Sequence, residues 1–466
     1  MTSERRGQLP VEDVGGTALP ASGAAASGSE AAPNAGAENG ATGAATKTST
    51  RRTRSWHVLR HRDYSLLFWG QLISAAGTQM QVVAVAWQVL LLTNSPIALG
   101  LIGLAQGIPR LLFSLVGGVF ADALDRRKLL IVVNTILALT STALALSTIF
   151  GIINIGIIYG IVMLASIVSS FEFPTRQAVI PSLVPREHLS DAVSLSTVSF
   201  QLTAILGATM GGVVLAAVGV ANTYWVDVGS YAFVIGALLL MHVPRVALEK
   251  RARAGVAALG EGMRFLKAHP IILSALSLDF FATFFGSPRA LLPIYAQDIY
   301  HAGAQGLGLL LAATSIGAVI ISPAAGALGH IARKGVGVIL AVLVWGACVV
   351  AFGLAPMWDA SIVAYGVAPI WVGVVLLAGA GAADMVSSVL RGLIVQLTTP
   401  EELRGRISSV NAMFVIGGPM LGQFESGVVA GVLTPELSVV TGGLACILAT
   451  LAIAWKVPSV LRAKVK

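Results

Sequence analysis

Three ionisable residues, Arg110, Asp279 and Asp384, stand inside long apolar runs of this sequence. A charged group in hydrocarbon is costly, so such residues usually face a polar interior and handle ions, protons or substrates. At 1.5 Å per helical residue, all three fall at a similar depth in a membrane core about 30 Å thick. The pattern predicts a central polar site in which Arg110 tunes the proton affinity of a carboxylate. A static ion pair that fixes helix register is the alternative.

Glutamine amides add uncharged polarity to the first two apolar runs. Gln81 and Gln88 are seven residues apart and therefore lie on one face of a helix. They predict contact with a substrate, with hydrogen bonding between helices as the alternative. The predicted substrate and proton pathway comprises Gln79, Gln81, Gln88, Gln106, Arg110, Asp279 and Asp384.

Three further ionisable residues, Asp227, Arg289 and Glu425, fall near the predicted outer ends of their runs. We predict that they form an outer rim or latch. The alternative is a solvated position at the membrane interface.

The apolar runs themselves predict an integral membrane protein. The chain has 466 residues, 56% hydrophobic and only 11% charged, and its mean hydropathy is +0.83. Lipid admits only helices and closed barrels, and continuous rather than alternating runs favour helices. The predicted fold class is all-α, with about twelve transmembrane helices at residues 65–92, 97–121, 129–150, 153–172, 193–218, 222–242, 271–296, 305–330, 336–355, 365–391, 407–432 and 437–457.

The distribution of Lys and Arg predicts the orientation. Of the 30 such residues, 28 lie in the two termini or in alternate loops and loop edges, and the other loops hold none. The remaining two, Arg110 and Arg289, lie inside apolar runs. Both termini are therefore predicted to be cytoplasmic, and the words cytoplasmic and outer are used below in this sense. The net charge of +8 then reflects topology, and no nucleic-acid partner is expected.

Four regions follow from this pattern. Residues 1–58 lack a signal-peptide core and predict a disordered cytoplasmic tail. Residues 59–242 predict an N-terminal bundle of six helices, 243–270 a cytoplasmic central loop, and 271–466 a C-terminal six-helix bundle with a short cytoplasmic tail.

An internal repeat supports the division into halves. A shift of 208 residues sets Gly100 on Gly308, and a shift of 215 sets Arg176 on Arg391. Repeats of this kind predict two bundles related by a pseudo-two-fold axis.

The stretch GGVFADALDRRKLL, residues 117–130, places both signs of charge between two apolar runs. It follows the cytoplasmic end of the second helix, a C-terminus at which the helix dipole disfavours carboxylates. Asp122 and Asp125 therefore need compensating partners.

This turn, with six runs on either side of a central loop, resembles the major facilitator superfamily. The signature there is a glycine, an aspartate four residues later and a basic cluster, supplied by Gly118, Asp122, Arg126 and Arg127, while Asp125 stands where the family usually has a second glycine. The combination DxxDRR, together with FWGQLISAAGTQMQ, FPTRQAVIPSLVP and GQFESG, is similar to the branch of siderophore (enterobactin) and drug exporters.

The resemblance implies a cytoplasmic gate. Asp122 would accept hydrogen bonds from the N-terminal amides of the eleventh helix, near residues 406–409, and Arg126 would reach Glu172. The network would latch the cytoplasmic side shut while the site faces outward; the alternative is that the charges only fix topology. The predicted gate comprises Gly118, Asp122, Asp125, Arg126, Arg127, Glu172, Arg176 and Arg391.

The implied function is secondary active transport: export of drug-like or siderophore-like small molecules by alternating access, coupled to proton influx. A facilitator or importer on the same fold is the alternative. An enzyme is not expected, because the sequence has no GxxxxGK[ST] phosphate loop and no metal-ligand spacing. We expect no cofactor beyond the proton gradient, and a monomer in the plasma (inner) membrane of a bacterium, with the lipid bilayer and a small-molecule substrate as partners.

Overall fold

The structure is a computed structural model that describes residues 55–242, 264, 266, 269–324, 328, 331, 333–358, 369–400 and 403–458. The side chains of residues 55–56, 114–123, 404–406 and 409 are outside the description. The predicted tail, 1–58, and central loop, 243–270, lie almost entirely outside the described residues.

Helices account for nearly all of the described chain, and no strand occurs among the described residues, which confirms the all-α prediction. The long helices are α1 (Arg62–Thr93), α2 (Pro96–Ala123), α3 (Arg126–Ile149), α4 (Ile155–Leu183), α5 (Leu189–Leu240), α6 (Pro270–Phe285), α7 (Gly303–Ile321), α8 (Lys334–Leu354), α9 (Pro369–Thr398), α10 (Arg404–Val432) and α11 (Pro435–Lys456). Short helical turns lie at Ser55–Arg60, Arg186–His188, Pro288–Leu291, Leu292–Ile294, Tyr295–Ile299, Ser322–Ala324 and Ala355–Trp358.

Ten helical segments of the described chain are long and apolar enough to cross a membrane. Helix α5 is 52 residues long and bends at Gly219, whose φ of 80° favours glycine. Each of its arms, residues 189–218 and 220–240, meets the length of about 20 residues that a span needs. Counting the arms separately and adding α10 gives twelve segments, so the count of twelve spans remains a prediction.

The seventh predicted span is broken in its outer half. Helix α6 ends at Phe285, and a 3₁₀ turn at Pro288–Leu291 and a π turn at Tyr295–Ile299 follow. Pro288 and Pro293 donate no backbone hydrogen bond, so a regular helix cannot continue through them unchanged. The indole Nε1 of Trp345 donates to the carbonyl of Gly286 at 3.1 Å and satisfies an acceptor that the break leaves free.

Glycines on four helices let the two bundles approach closely. A Cβ built on Gly100 of α2 would lie 3.0 Å from the Cα of Gly427 on α10, and one on Gly212 of α5 would lie 2.9 Å from the Cα of Gly308 on α7. Gly100 and Gly308 are 208 residues apart, and Gly212 and Gly427 are 215 apart. The two crossings are therefore related by the shifts of the sequence repeat, which supports the pseudo-two-fold arrangement of two bundles.

These crossings close the outer side of the molecule. One apolar core spans both bundles there, with Leu99 and Ile102 from the first and Leu291 and Leu307 from the second. The buried apolar residues toward the cytoplasmic side instead form clusters that each belong to a single bundle. The described state is thus joined on the outer side, and the two bundles have separate cores on the cytoplasmic side.

We predict that Gly308→Leu opens the outer side, because a side chain at this position would meet the backbone of α5. Spin labels at positions 218 and 301, in a background lacking Cys348 and Cys446, should shift from short to long distances. Gly160→Leu is the matched control, since a Cβ there has nothing within 4 Å. An unchanged distance distribution in Gly308→Leu would show that this crossing does not hold the outer side closed.

Candidate functional site

A buried salt bridge joins α6 and α9. Asp279 Oδ1 lies 2.7 Å from Arg391 Nη2, and the two side chains are only 5% and 8% exposed. Arg391 Nη1 also donates to Ser387 Oγ at 3.0 Å. The sequence analysis assigned Arg391 to the gate and gave Arg110 to the central carboxylates, so the structure corrects the partner of Asp279.

A second carboxylate shares the same guanidinium group. Asp384 precedes Arg391 by seven residues on α9 and so lies on the same face of the helix. It interacts electrostatically with both Arg391 and Asp279. The structure therefore brings the two predicted carboxylates together around one cation. Carboxylates coupled in this way can hold and release a proton, because the charge of one changes the proton affinity of the other.

Space adjoins this cluster on the cytoplasmic side. A cavity of about 340 Å³ between α9 and α10 is lined by Arg391, Gln396, Ser408 and Asn411, among others. Arg391 is seven residues from the end of α9, or about 10 Å at 1.5 Å per residue. In this state the salt bridge borders the cytoplasmic side of the molecule.

The N-terminal bundle carries a counterpart at the repeat positions. Gln71 is 208 residues before Asp279, and Arg176 is 215 before Arg391. Arg176 Nη1 donates to Gln71 Oε1 at 2.9 Å, and Gln71 Nε2 donates to Glu172 Oε1 at 3.4 Å. The two halves thus place an arginine against a polar residue in the same way, but the acid stands on α6 in one half and on α4 in the other.

The negative charge of Asp125 is stabilised at the N-terminus of the next helix, α3. Its side chain caps α3 by accepting hydrogen bonds from the backbone N–H groups of Arg127 and Lys128, at 3.1 and 3.2 Å. A carboxylate is favoured at a helix N-terminus, where backbone donors lack partners. This use explains an aspartate where the resemblance predicts glycine.

The two arginines of the turn bind backbone carbonyls of their own bundle. Arg126 Nη1 donates to the carbonyl of Ala178 at 2.8 Å in the described state, so its contact with Glu172 in an outward-facing state remains a prediction. Arg127 donates to two carbonyls at the end of α5, at 2.7 and 2.6 Å. These contacts hold α3, α4 and α5 together and do not involve the other bundle. The side chain of Asp122, like Gly118, lies outside the described residues.

Asp227 is buried inside the N-terminal bundle, so its predicted place on an outer rim is wrong. It is 0% exposed. Ser141 Oγ of α3 donates to Asp227 Oδ2 at 2.6 Å, and Gln81 Nε2 of α1 donates to Ser141 Oγ at 2.8 Å. Ser230 Oγ lies 3.4 Å from Oδ1. The carboxylate links three helices through hydroxyl and amide groups.

The first-helix glutamines mainly join helices. Gln88 donates to Thr148 Oγ1 at 2.9 Å and accepts from the hydroxyl of Tyr224 at 2.7 Å. Gln81 makes the Ser141 contact above, and Gln79 packs against Gly207. For Gln81 and Gln88 these contacts favour the helix-to-helix alternative over the predicted substrate contact.

A small cavity between the bundles, of about 40 Å³, collects polar groups from both. Gln106 of α2, Gln423 of α10 and Arg289 of the broken span line it. Arg289 therefore lies beside a cavity between the bundles with an exposed side chain, and its place on an outer rim remains a prediction. Glu425 is half-buried on α10, and its place on an outer rim remains a prediction.

Arg110 lies one helical turn from Gln106 on the same face of α2. Its Nη2 lies 3.5 Å from Ser169 Oγ on α4. It interacts electrostatically with Glu172 and with Arg289. Arg110 thus reaches α4, and its part in a central site remains a prediction.

A family model described as transmembrane secretion effector (MFS_3) matches residues 53–464. The chain belongs to the major facilitator superfamily. The enterobactin exporters EntS of Escherichia coli O139:H28 (strain E24377A / ETEC) and of Shigella boydii serotype 18 are each 28% identical to it over 384 residues, covering 82% of this chain and 89% of the relative. The chain is accordingly a multi-pass membrane transporter and not an enzyme.

Solved structures of the superfamily share the fold. A mutant of the nucleoside transporter NupG aligns with a TM-score of 0.65 at 11% identity, over 86% of this chain and 99% of its own. A POT family transporter in complex with 5-aminolevulinic acid aligns at 0.66 and 12%, over 86% and 96%. An inward-facing, unoccupied bacterial homologue of the human lysosomal transporter Spinster aligns at 0.60 and 13%, over 87% and 98%. At such low sequence identities, these alignments show a shared fold only.

We predict that Asp125→Ala lowers the stability of the transporter by about 1 kcal/mol, the usual cost of losing an N-cap. Thermal denaturation of the purified protein in detergent measures the change. Lys128→Ala is the matched control, because only its backbone N–H takes part in the cap. Equal melting temperatures for the two variants would contradict a capping role for Asp125.

Proposed function

We propose that this transporter exports small molecules, drug-like or siderophore-like, by alternating access driven by proton influx. The exporter relatives support the direction, and the polar interior shared by both bundles supports a solute pathway between them. A proton moving inward down a potential of 100 mV supplies about 2.3 kcal/mol per charge. With both termini cytoplasmic, the chain would sit in the inner membrane of a bacterium and act as a monomer.

The coupling element in this proposal is the cluster of Asp279, Asp384 and Arg391. With both carboxylates ionised, Arg391 ties α6 to α9 through Asp279, as in the described state. A proton on Asp279 would remove the negative charge that holds this tie, and Asp384 would remain as the ionised carboxylate that acts on Arg391. The tie between α6 and α9 would then exist in one protonation state and not in the other.

The cycle assigns a proton state to each orientation. The described state is closed on the outer side, and its ion pair borders a cytoplasmic cavity. It fits the stage after proton release to the cytoplasm, when the site is ready to take up a substrate. After reorientation, a proton from outside would break the pair and return the empty carrier. The alternative, a facilitator or importer, would need no such coupling.

We predict that Asp279→Gln and Asp384→Asn abolish transport driven by a pH gradient. The purified protein in liposomes, with an imposed gradient, is tested with ethidium and with iron-free enterobactin. Transport by the two variants should fall to the level of empty liposomes, whereas Asp298→Asn, at an exposed carboxylate, should match the unmodified protein. Gradient-driven transport that survives in both variants would remove the cluster from the mechanism.

The choice of glutamine at position 279 keeps the test free of a folding defect. Removing one partner of a buried ion pair costs about 3–5 kcal/mol when the other charge is left unpaired. A glutamine would reproduce the Gln71–Arg176 arrangement of the other half, in which the amide oxygen accepts from the arginine. Asp279→Gln should therefore remain folded by size-exclusion chromatography and still exchange substrate without a gradient.

The cytoplasmic latch is also part of this proposal. Asp122 stands at the end of α2, and α10 begins at Arg404, so an outward-facing state can bring its carboxylate to the amides of that N-terminus. We predict that Asp122→Asn cuts transport sharply and leaves membrane insertion intact, as measured by uptake and by the amount of protein in the membrane. Lys128→Ala is the control at an exposed position of the same turn. Unchanged transport by Asp122→Asn would leave topology as the role of these charges.

A further inference from the structure

Two guanidinium groups, those of Arg110 and Arg289, stand in predicted membrane-spanning segments without a carboxylate against either of them. No carboxylate of the described residues lies within 4.0 Å of either group, whereas Arg391 has Asp279 at 2.7 Å. A charged side chain in a membrane-spanning segment normally has an oppositely charged partner or serves a function. These two arginines therefore need an explanation other than helix packing.

Arg289 lines a cavity between the bundles, and Arg110 lies close to this space. Arg289 and Gln106 line the same cavity, and Arg110 lies one turn from Gln106 on the same face of α2. The side chain of Arg289 is exposed, and part of it lines this cavity. Arg110 and Arg289 come from different bundles and are close enough to repel each other.

The residues that line the cavity favour one kind of ligand. The amides of Gln106 and Gln423 add hydrogen-bonding groups of neutral charge, and the other lining residues are apolar. The apolar lining consists of Val82, Ala86, Leu99, Ile102, Ala290, Pro293, Leu307 and Leu311. With about 40 Å³, the cavity has room for a few waters or one small polar group in this state. An anionic group would relieve the repulsion between the arginines and meet donors on both sides.

We propose that Arg110 and Arg289 form the binding site for the anionic group of the transported molecule. The site would take a small organic anion, with a carboxylate, sulfonate or phenolate held by the two guanidinium groups and an apolar body against the surrounding side chains. Because the two arginines belong to different bundles, the bound anion would join them. This proposal names the substrate class of the transport function proposed above and rests on it.

The test compares two dyes of the same ring system and opposite charge. Binding of 6-carboxyfluorescein, an anion, and rhodamine 123, a cation, is measured by fluorescence anisotropy on the full chain in nanodiscs, with empty nanodiscs as the blank. The pH is constant and no gradient is present. The unmodified protein should bind carboxyfluorescein at least about tenfold more tightly than rhodamine 123.

The arginine variants then locate the site. Arg110→Gln and Arg289→Gln should each weaken carboxyfluorescein binding by about tenfold or more, since a lost charge-assisted hydrogen bond is worth that much, and should leave rhodamine binding unchanged. Arg186→Gln, at an exposed arginine of a cytoplasmic loop, should change neither. Removing one of two like charges that repel each other should not impair folding, which size-exclusion chromatography checks.

Three results would overturn the proposal: no saturable binding of carboxyfluorescein, no preference for it over rhodamine 123, or unchanged binding in Arg289→Gln. The measurement needs no proton gradient. Charge-selective binding together with failed gradient-driven transport would therefore remove the proposed coupling and leave the anion site standing. The opposite combination would remove only the anion site.

Discussion

Charges inside a membrane protein need partners, and the interior of this transporter depends on how that requirement is met. The C-terminal bundle meets it with a short ion pair between Asp279 and Arg391. The N-terminal bundle meets it with one amide, Gln71, which accepts a hydrogen bond from Arg176 and donates one to Glu172. Because an ion pair responds to a proton and an amide does not, the same backbone arrangement carries different chemistry in the two halves.

These charged side chains form two groups whose net charges have opposite sign. Three guanidinium groups and one carboxylate are linked on the side of the N-terminal bundle and the broken span: Arg110, Arg176, Arg289 and Glu172. One guanidinium group and two carboxylates are linked between α6 and α9. Among these described groups, the first has a surplus of cations and the second a surplus of carboxylates. Under the two proposals, a proton and an anion would therefore bind at separate places.

The sequence predicted which charged residues stand within helices but predicted their partners poorly. Counting residues along a helix placed Asp279 and Asp384 at one level, and they do share a cluster. Arg391 was placed at a span end because the apolar run stops there, whereas α9 continues to Thr398 and carries Arg391 into the interior. An apolar run ends at the first charged residue, whereas the backbone hydrogen bonds of the helix continue past it.

Another error also has a physical cause. Asp227 was placed near the membrane surface by its depth, but its hydroxyl partners on other helices decide its burial, and no single-helix pattern reports them. The sequence repeat could have identified Gln71 as the residue that binds Arg176. Gln71 precedes Asp279 by the same 208 residues that separate Gly100 from Gly308.

An anionic cargo would also bear on the direction of transport. A monoanion that leaves a cell interior held at −100 mV gains about 2.3 kcal/mol from the potential alone. Export of such a molecule is then favoured even without a proton, and exchange for an incoming proton would add a second charge movement in the same electrical sense. The carboxylates between α6 and α9 would therefore not be needed to set the direction of an anion's movement. Their contribution would be to let the carrier concentrate its cargo outside beyond what the potential supports, because each turnover would be tied to a proton that Asp279 takes up from outside and releases to the cytoplasm when its ion pair with Arg391 forms again.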